Sequence, residues 1–132
     1  MESIAIIPAR GGSKRIPRKN IKLFAGKPAI ARAIDCAEAS NLFSRIIVST
    51  DDQEIATIAR DSGAEVPFIR SSALSDDHTT TIDVIADALI NLREVSDPSD
   101  LVCCVYPVTP LLNPSRLKEA KELLTRGDWD FV

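Results

Sequence analysis

The residues best suited to chemistry crowd the first quarter of the chain. Gly11-Gly12-Ser13 directly follows a short apolar run and is flanked by Arg10 and Lys14, with Lys19 a few positions on. Glycines let a backbone approach a partner without steric interference, and successive N–H groups in such a turn form a concave anion site. Arg grips two oxygens at once whereas Lys acts as a point charge, so Arg10, Lys14 and Lys19 together suit a polyphosphate. In this quarter Arg10, Lys14, Arg15, Arg18, Lys19, Lys22, Lys27 and Arg32 stand against Glu2 alone, although the whole chain carries a net charge of −3. Neighbouring like charges repel by about 0.2–0.5 kcal/mol per pair, and a bound anion removes that penalty. A solvated cationic face is the alternative reading of the charges alone. The loop is not G-x-x-x-x-G-K-[ST] and lacks the third glycine of G-x-G-x-x-G, so it is neither a P-loop nor a dinucleotide fingerprint.

These residues need elements to hold them. Ile4, Ala5, Ile6 and Ile7 give an apolar run without alternation, the pattern of a strand covered on both faces. Pro28 suits a helix's first turn, and Ile30, Ile34 and Ala37 recur at helical spacing to about Ser40. Residues 45–50 predict a second strand, and Asp51 with Glu54 resembles an N-cap and its reciprocal partner for a helix that stops at Gly63. A short third strand is expected over residues 65–69, then an aperiodic loop over 70–79. Thr80 is placed to cap a helix burying Ile82, Ile85, Ala86 and Leu89. Residues 101–106 predict a fourth strand, Asn113-Pro114 opens a helix with Leu117, Ala120 and Leu124 inward, and residues 129–132 begin another strand.

Strands alternating with amphipathic helices predict an α/β domain with a mostly parallel sheet covered on both sides. Ligands of such sheets bind beyond the carboxyl ends of the strands, which gathers the loop after the first strand, the 70–79 loop and the segment from Tyr106 to Pro110. At 132 residues, 45% hydrophobic and 27% charged, the chain is one globular domain rather than a disordered segment. No apolar run approaches a bilayer's thickness, and Met1-Glu2-Ser3 leads into a strand rather than a signal peptide, so a cytoplasmic protein is expected. Three cysteines without CxxC spacing read as buried thiols, with Cys103 and Cys104 on opposite faces of a strand.

The run Ile7-Pro8-Ala9-Arg10-Gly11-Gly12-Ser13-Lys14-Arg15-Ile16-Pro17-Arg18-Lys19-Asn20 resembles the N-terminal signature of the acylneuraminate cytidylyltransferase family. The resemblance continues through Gly26-Lys27-Pro28, Val48-Ser49-Thr50-Asp51-Asp52 and Gly63-Ala64-Glu65-Val66-Pro67, and so covers nearly the whole chain. Pro67-Phe68-Ile69-Arg70 and Asp76-Asp77-His78-Thr79 fit the branch that acts on pseudaminic acid. Tyr106 and Leu112 depart from the sialic acid branch, which has glutamine and arginine there.

The resemblance implies a Rossmann-like three-layer α/β/α nucleotidyltransferase fold, with residues 1–132 forming the nucleotide-binding portion of a longer domain. It implies that CMP passes from CTP to a nine-carbon sugar acid, pseudaminic acid foremost with N-acetylneuraminate, legionaminate or KDO as the alternative acceptors, and with Arg10 and Lys19 as catalytic cations. Ala9, Arg10, Gly11, Gly12, Ser13, Lys14 and Lys19 would meet the nucleotide, chiefly its phosphates, with Asn20 near the ribose or base. Arg70 and Thr81 fall at cytosine-recognition positions, while Tyr106 and Thr109 lie on the ligand rim. It also implies Mg²⁺ held by aspartates outside this chain, a homodimer at full length, and neither nucleic-acid nor membrane partners.

Structural readings stand beside several of these roles. Arg70 also suits a surface ion pair, Thr81 a helix-start hydroxyl, and Tyr106 and Thr109 simple loop packing. His78, the sole histidine, has no nucleophile or metal partner in the sequence and is read as a loop hydrogen-bond donor. Asp128 with Asp130 imitates a metal pair, but it sits at a helix-to-strand junction and is assigned no metal; Asp51 and Asp52 are read as a helix cap. A nucleic-acid-binding module is the competing class. It is disfavoured by the negative net charge and by Phe24 being the only ring near the basic loop.

Overall fold

A computed structural model describes residues 2–12, 18–93 and 101–132. In chain order the elements are β1 (Ser3–Pro8), β2 (Leu23–Phe24), β3 (Lys27–Pro28), α1 (Ala29–Ser40), β4 (Arg45–Ser49), α2 (Gln53–Asp61), a short 3-10 turn (Ser72–Leu74), α3 (Thr81–Arg93), β5 (Leu101–Cys104) and α4 (Pro114–Arg126). β1 runs parallel to both neighbours in a sheet ordered β4-β1-β5.

Side chains of β1 leave alternate faces, so its unbroken apolar run demands cover on both sides. Ala5 and Ile7 join Val48 against Ile30 and Ile34 of α1, Ile55 of α2 and Leu117 of α4. Ile4 and Ile6 join Ile47 against Ala88 and Leu92 of α3 on the other face. The result is the expected three-layer arrangement.

Local chemistry explains the helix ends. Asn113 accepts the Arg116 N–H and Pro114 occupies the first turn of α4, as the sequence suggests. The start of α1 has no side-chain cap. Instead the Asn20 and Lys22 carbonyls accept the Ile30 and Ala29 amides, tying the preceding loop to the helix. The hairpin of β2 and β3 gives no periodic signal. Its turn residues Ala25 and Gly26 both have positive φ, as two-residue hairpin loops require.

The structure corrects several expectations. The α2 cap is Asp52, whose carboxylate accepts the Ile55 N–H; Asp51 turns away from the helix. The strand expected over 65–69 shrinks to one bridge at Glu65 beside Ile47, and Pro67, which lacks an N–H, cannot extend it. α3 is capped by Thr80, but Val84, Ala88 and Leu92 form its buried stripe. Ile85 and Leu89 are only partly buried, and Ile82 and Ala86 face outward. Apolar residues lie on two sides of this helix, so periodicity alone permits either face.

Residues 129–132 form no strand, because their backbone pairs with none of the described residues. Asp130, Phe131 and Val132 border an apolar groove of about 310 Å³ between β5 and α4. The cysteines, expected as buried thiols, are less enclosed than that: Cys36 and Cys103 are half-buried and Cys104 is exposed. No helix among the described residues is long and apolar enough to cross a membrane.

The orientation of α3 is testable by chemical denaturation. Leu92→Ala is expected to cost about 2–5 kcal/mol, as other large-to-small core changes do. Ile82→Ala, at a position 79% exposed, should stay within about 0.5 kcal/mol. Equal losses would place the wrong face inward.

Candidate functional site

With the Glu65 bridge beside β4, the strand order reverses between β1 and β5, so the carboxyl ends of these two strands border a topological switch point. A cleft of about 180 Å³ opens there. Arg10 enters from beyond β1, Lys19 and Asn20 from the turn that follows, Arg70 from the segment after Glu65, Thr81 from the start of α3 and Tyr106 from beyond β5. Six residues singled out in the sequence thus line one concavity although they are spread over 97 positions.

Arg70 is the buried charge of the cleft, only 4% exposed. Its amide donates to the Thr50 carbonyl at 2.8 Å, which docks the segment on the end of β4. Its Nη2 lies 3.4 Å from the Ser49 carbonyl, and its Nε–H has no partner. Burial pushes this guanidinium below its ordinary pKa, with Arg10 adding to that and Asp51 and Asp87 opposing it. It stays charged throughout the physiological range. Asn20 is also buried: its Nδ2 donates to the Arg10 carbonyl at 2.8 Å, and its Oδ1 is unpaired. Buried polar atoms without partners are rare, and of the four among the described residues, which include Ser3 Oγ and Ser49 Oγ, two belong to side chains that line this cleft.

Arg10 donates from Nη1 to Asp77 Oδ1 at 2.5 Å. Asp77 is presented by a knot at Asp76, whose Oδ1 accepts the His78 and Thr79 amides and the Thr79 hydroxyl. These bonds, the Thr79 hydroxyl foremost, hold the Asp76 carboxyl below the usual range. Across the cleft, Thr81 Oγ1 and Tyr106 Oη are 3.2 Å apart.

The other sequence candidates take different places. Thr109 does not line the cleft, and its hydroxyl donates to the Tyr106 carbonyl. Ala9 is fully buried in the core, with its N–H bonded to the Ser49 carbonyl. The Gly11 N–H, expected to face an anion, is occupied by Asp51 Oδ1 at 2.8 Å. Gly12 is exposed, with open space where a side chain would stand. Ser13 and Lys14 lie outside the described residues.

Sequence reasoning passed over Asp77 and the partnership of Arg18 with Asp52. Arg18 donates Nη1 to Asp52 Oδ2 at 2.6 Å, and Nη2 to Asp52 Oδ1 at 3.1 Å and Glu54 Oε2 at 2.8 Å. The available signal was placement: Asp51 and Asp52 follow β4, so they stand at the same end of the sheet as the glycine loop. The carboxylates flanking the cleft are thus turned to N–H donors. No three His, Cys, Asp or Glu side chains group as a metal site among the described residues.

Sequence comparison assigns this architecture. Residues 4–131 match the cytidylyltransferase family. The chain belongs to that family. A pseudaminic acid cytidylyltransferase of Campylobacter jejuni is 45% identical over 132 residues, all of this chain and 57% of that protein. N-acylneuraminate cytidylyltransferase A of Danio rerio is 44% identical over 128 residues, 97% of this chain and 29% of the relative. A solved CMP:2-keto-3-deoxy-manno-octonic acid synthetase complexed with CTP superposes with a TM-score of 0.79 at 21% identity, over 96% of this chain and 48% of the other, a likeness of fold. This cytidylyltransferase chain therefore spans little more than half the length of the first relative.

The Asp52 pair gives a pH prediction. Arg18's guanidinium, aided by the Ile55 amide and opposed by burial, holds the Asp52 carboxyl at about 2, below its ordinary 3.8. A depressed carboxyl stabilises the fold fully above the unfolded-state value and loses that effect as pH falls through the folded value. Acid unfolding followed by circular dichroism between pH 4 and pH 2 should therefore be less steep in Asp52→Asn than in the parent chain. Identical acid limbs would remove Asp52 from the account.

Proposed function

We propose that the chain forms the CTP-binding part of an enzyme that transfers CMP from CTP to the anomeric hydroxyl of a nine-carbon sugar acid, releasing pyrophosphate. One observation carries the reading: a cationic cleft at the switch point holds a buried arginine and a buried asparagine whose Nε–H and Oδ1 are unpaired. Cytosine offers both acceptors and an amino donor, which suits that pair. Arg10 and Lys19 suit the phosphates, Arg10 by exchanging Asp77 for phosphate oxygens.

In this reaction the sugar oxygen bonds to the α-phosphorus as the bond to the bridging oxygen of the departing pyrophosphate breaks. The hydroxyl proton passes to a base. The tasks for this chain's residues are alignment and charge neutralisation, and alignment alone can supply about 7–11 kcal/mol. Mg²⁺, when bound, would add to the neutralisation of the polyphosphate, with ligands drawn mainly from outside this chain. Pseudaminic acid is the favoured acceptor, supported by the curated relative and by Tyr106 standing where the sialic acid branch has glutamine. A cytoplasmic setting, where nucleoside triphosphates are supplied, accompanies the reading.

Calorimetric titration with CTP, UTP, ATP and GTP tests it. CTP should bind selectively, and Arg70→Ala should weaken CTP at least about tenfold, the loss of one hydrogen bond to a charged group. Equal binding of all four nucleotides, or of none, refutes the assignment. Pyrophosphate release with pseudaminic, legionaminic and N-acetylneuraminic acids then ranks the acceptors.

A further inference from the structure

The cationic run near the N-terminus divides its labour. Lys19 lines the cleft, whereas the adjacent Arg18 spends its guanidinium on Asp52 and Glu54. Arg18 also has φ +55, a conformation that L residues with side chains avoid and that persists only where surroundings impose it. Its three-bond grip is the visible imposition.

The same pair of aspartates holds Gly11. Asp51 accepts the Gly11 amide, and a Cβ built on Gly11 would stand 2.8 Å from Asp52 Oδ2 and 3.0 Å from Asp52 Cβ. Only glycine brings the backbone that close. Gly11 adjoins Arg10, Arg18 adjoins Lys19, and Asn20 ties back to the Arg10 carbonyl. Asp52 is itself fixed as the cap of α2. One rigid helix start therefore sets the backbone beside both cleft cations.

We propose that Asp51, Asp52 and Arg18 form a positioning clamp that sets Arg10 and Lys19 at the spacing a polyphosphate requires. The inference rests on the CTP reading above and adds residues that touch no ligand themselves. Arg18 is 39% and Asp52 22% exposed, a pair too solvated to decide by itself whether the chain folds, so the clamp's distinguishing effect is on where its neighbours stand. It also explains two carboxylates beside an anion site: their acceptor capacity is turned inward, onto Arg18 and the Gly11 amide.

The test compares CTP with CMP, which lacks the two outer phosphates, by titration calorimetry on the chain and three variants. Arg18→Gly suits the positive φ yet removes the guanidinium. Asp52→Ser keeps a capping oxygen for α2 yet cannot hold Arg18. Arg18→Lys keeps the charge without the fork. In Arg18→Gly and Asp52→Ser, CTP affinity should fall about tenfold or more, the loss of one hydrogen bond between charged groups. CMP affinity should stay near the parent value even where loss of the ion pair lowers the melting temperature by a few degrees, and the CTP affinity of Arg18→Lys should fall between. Unchanged CTP affinity, or parallel loss of CTP and CMP, overturns the clamp while leaving nucleotide binding intact. Failure of the parent chain to bind CTP overturns instead the reading on which the clamp rests, and the clamp with it.

Discussion

β1 must be covered on both faces, and the architecture follows from that requirement. Four consecutive residues, Ile4 to Ile7, are essentially excluded from solvent, two toward α3 and two toward the opposite helices. A strand so placed occupies the interior of a parallel sheet, and its neighbours are reached by crossovers over either face. Where the crossovers change sides the loops splay apart, and the chain after β1 emerges into the gap. The apolar run thus locates the polar site without contributing a polar atom.

Charge in that gap is managed by pairing rather than by exposure. Arg10 meets Asp77, Arg18 meets Asp52 and Glu54, and Arg70 is lodged under the end of β4. Crowded cations would otherwise spread toward solvent. Here each is drawn to a fixed direction, and Arg70, the most deeply buried, keeps an unused donor.

Much of this was legible from the residues. The both-faces strand, the Asn113-Pro114 helix start and the convergence of the loops bearing Arg10, Lys19, Asn20, Arg70 and Tyr106 follow from period, cap chemistry and the carboxyl-end rule, while Thr81 is singled out through the family resemblance. What escaped depends on tertiary geometry. Asp51 and Asp52 are adjacent and equally good caps, and the competing attraction of the Gly11 amide decides between them. α3 has two apolar sides, and the sheet selects the one with Val84, Ala88 and Leu92. The β2–β3 hairpin is too short to carry a period, and Arg18 reads as one more cation until its backbone angle is seen.

The bond between Arg10 and Asp77 carries a final consequence. A guanidinium already matched with a carboxylate offers an incoming anion an exchange of counter-charges, and the net gain is the difference between two similar attractions. Dissolved salt weakens both sides of that exchange together. An anion that drew Arg10 from Asp77 would therefore be held with less sensitivity to ionic strength than a count of the cleft's positive charges suggests.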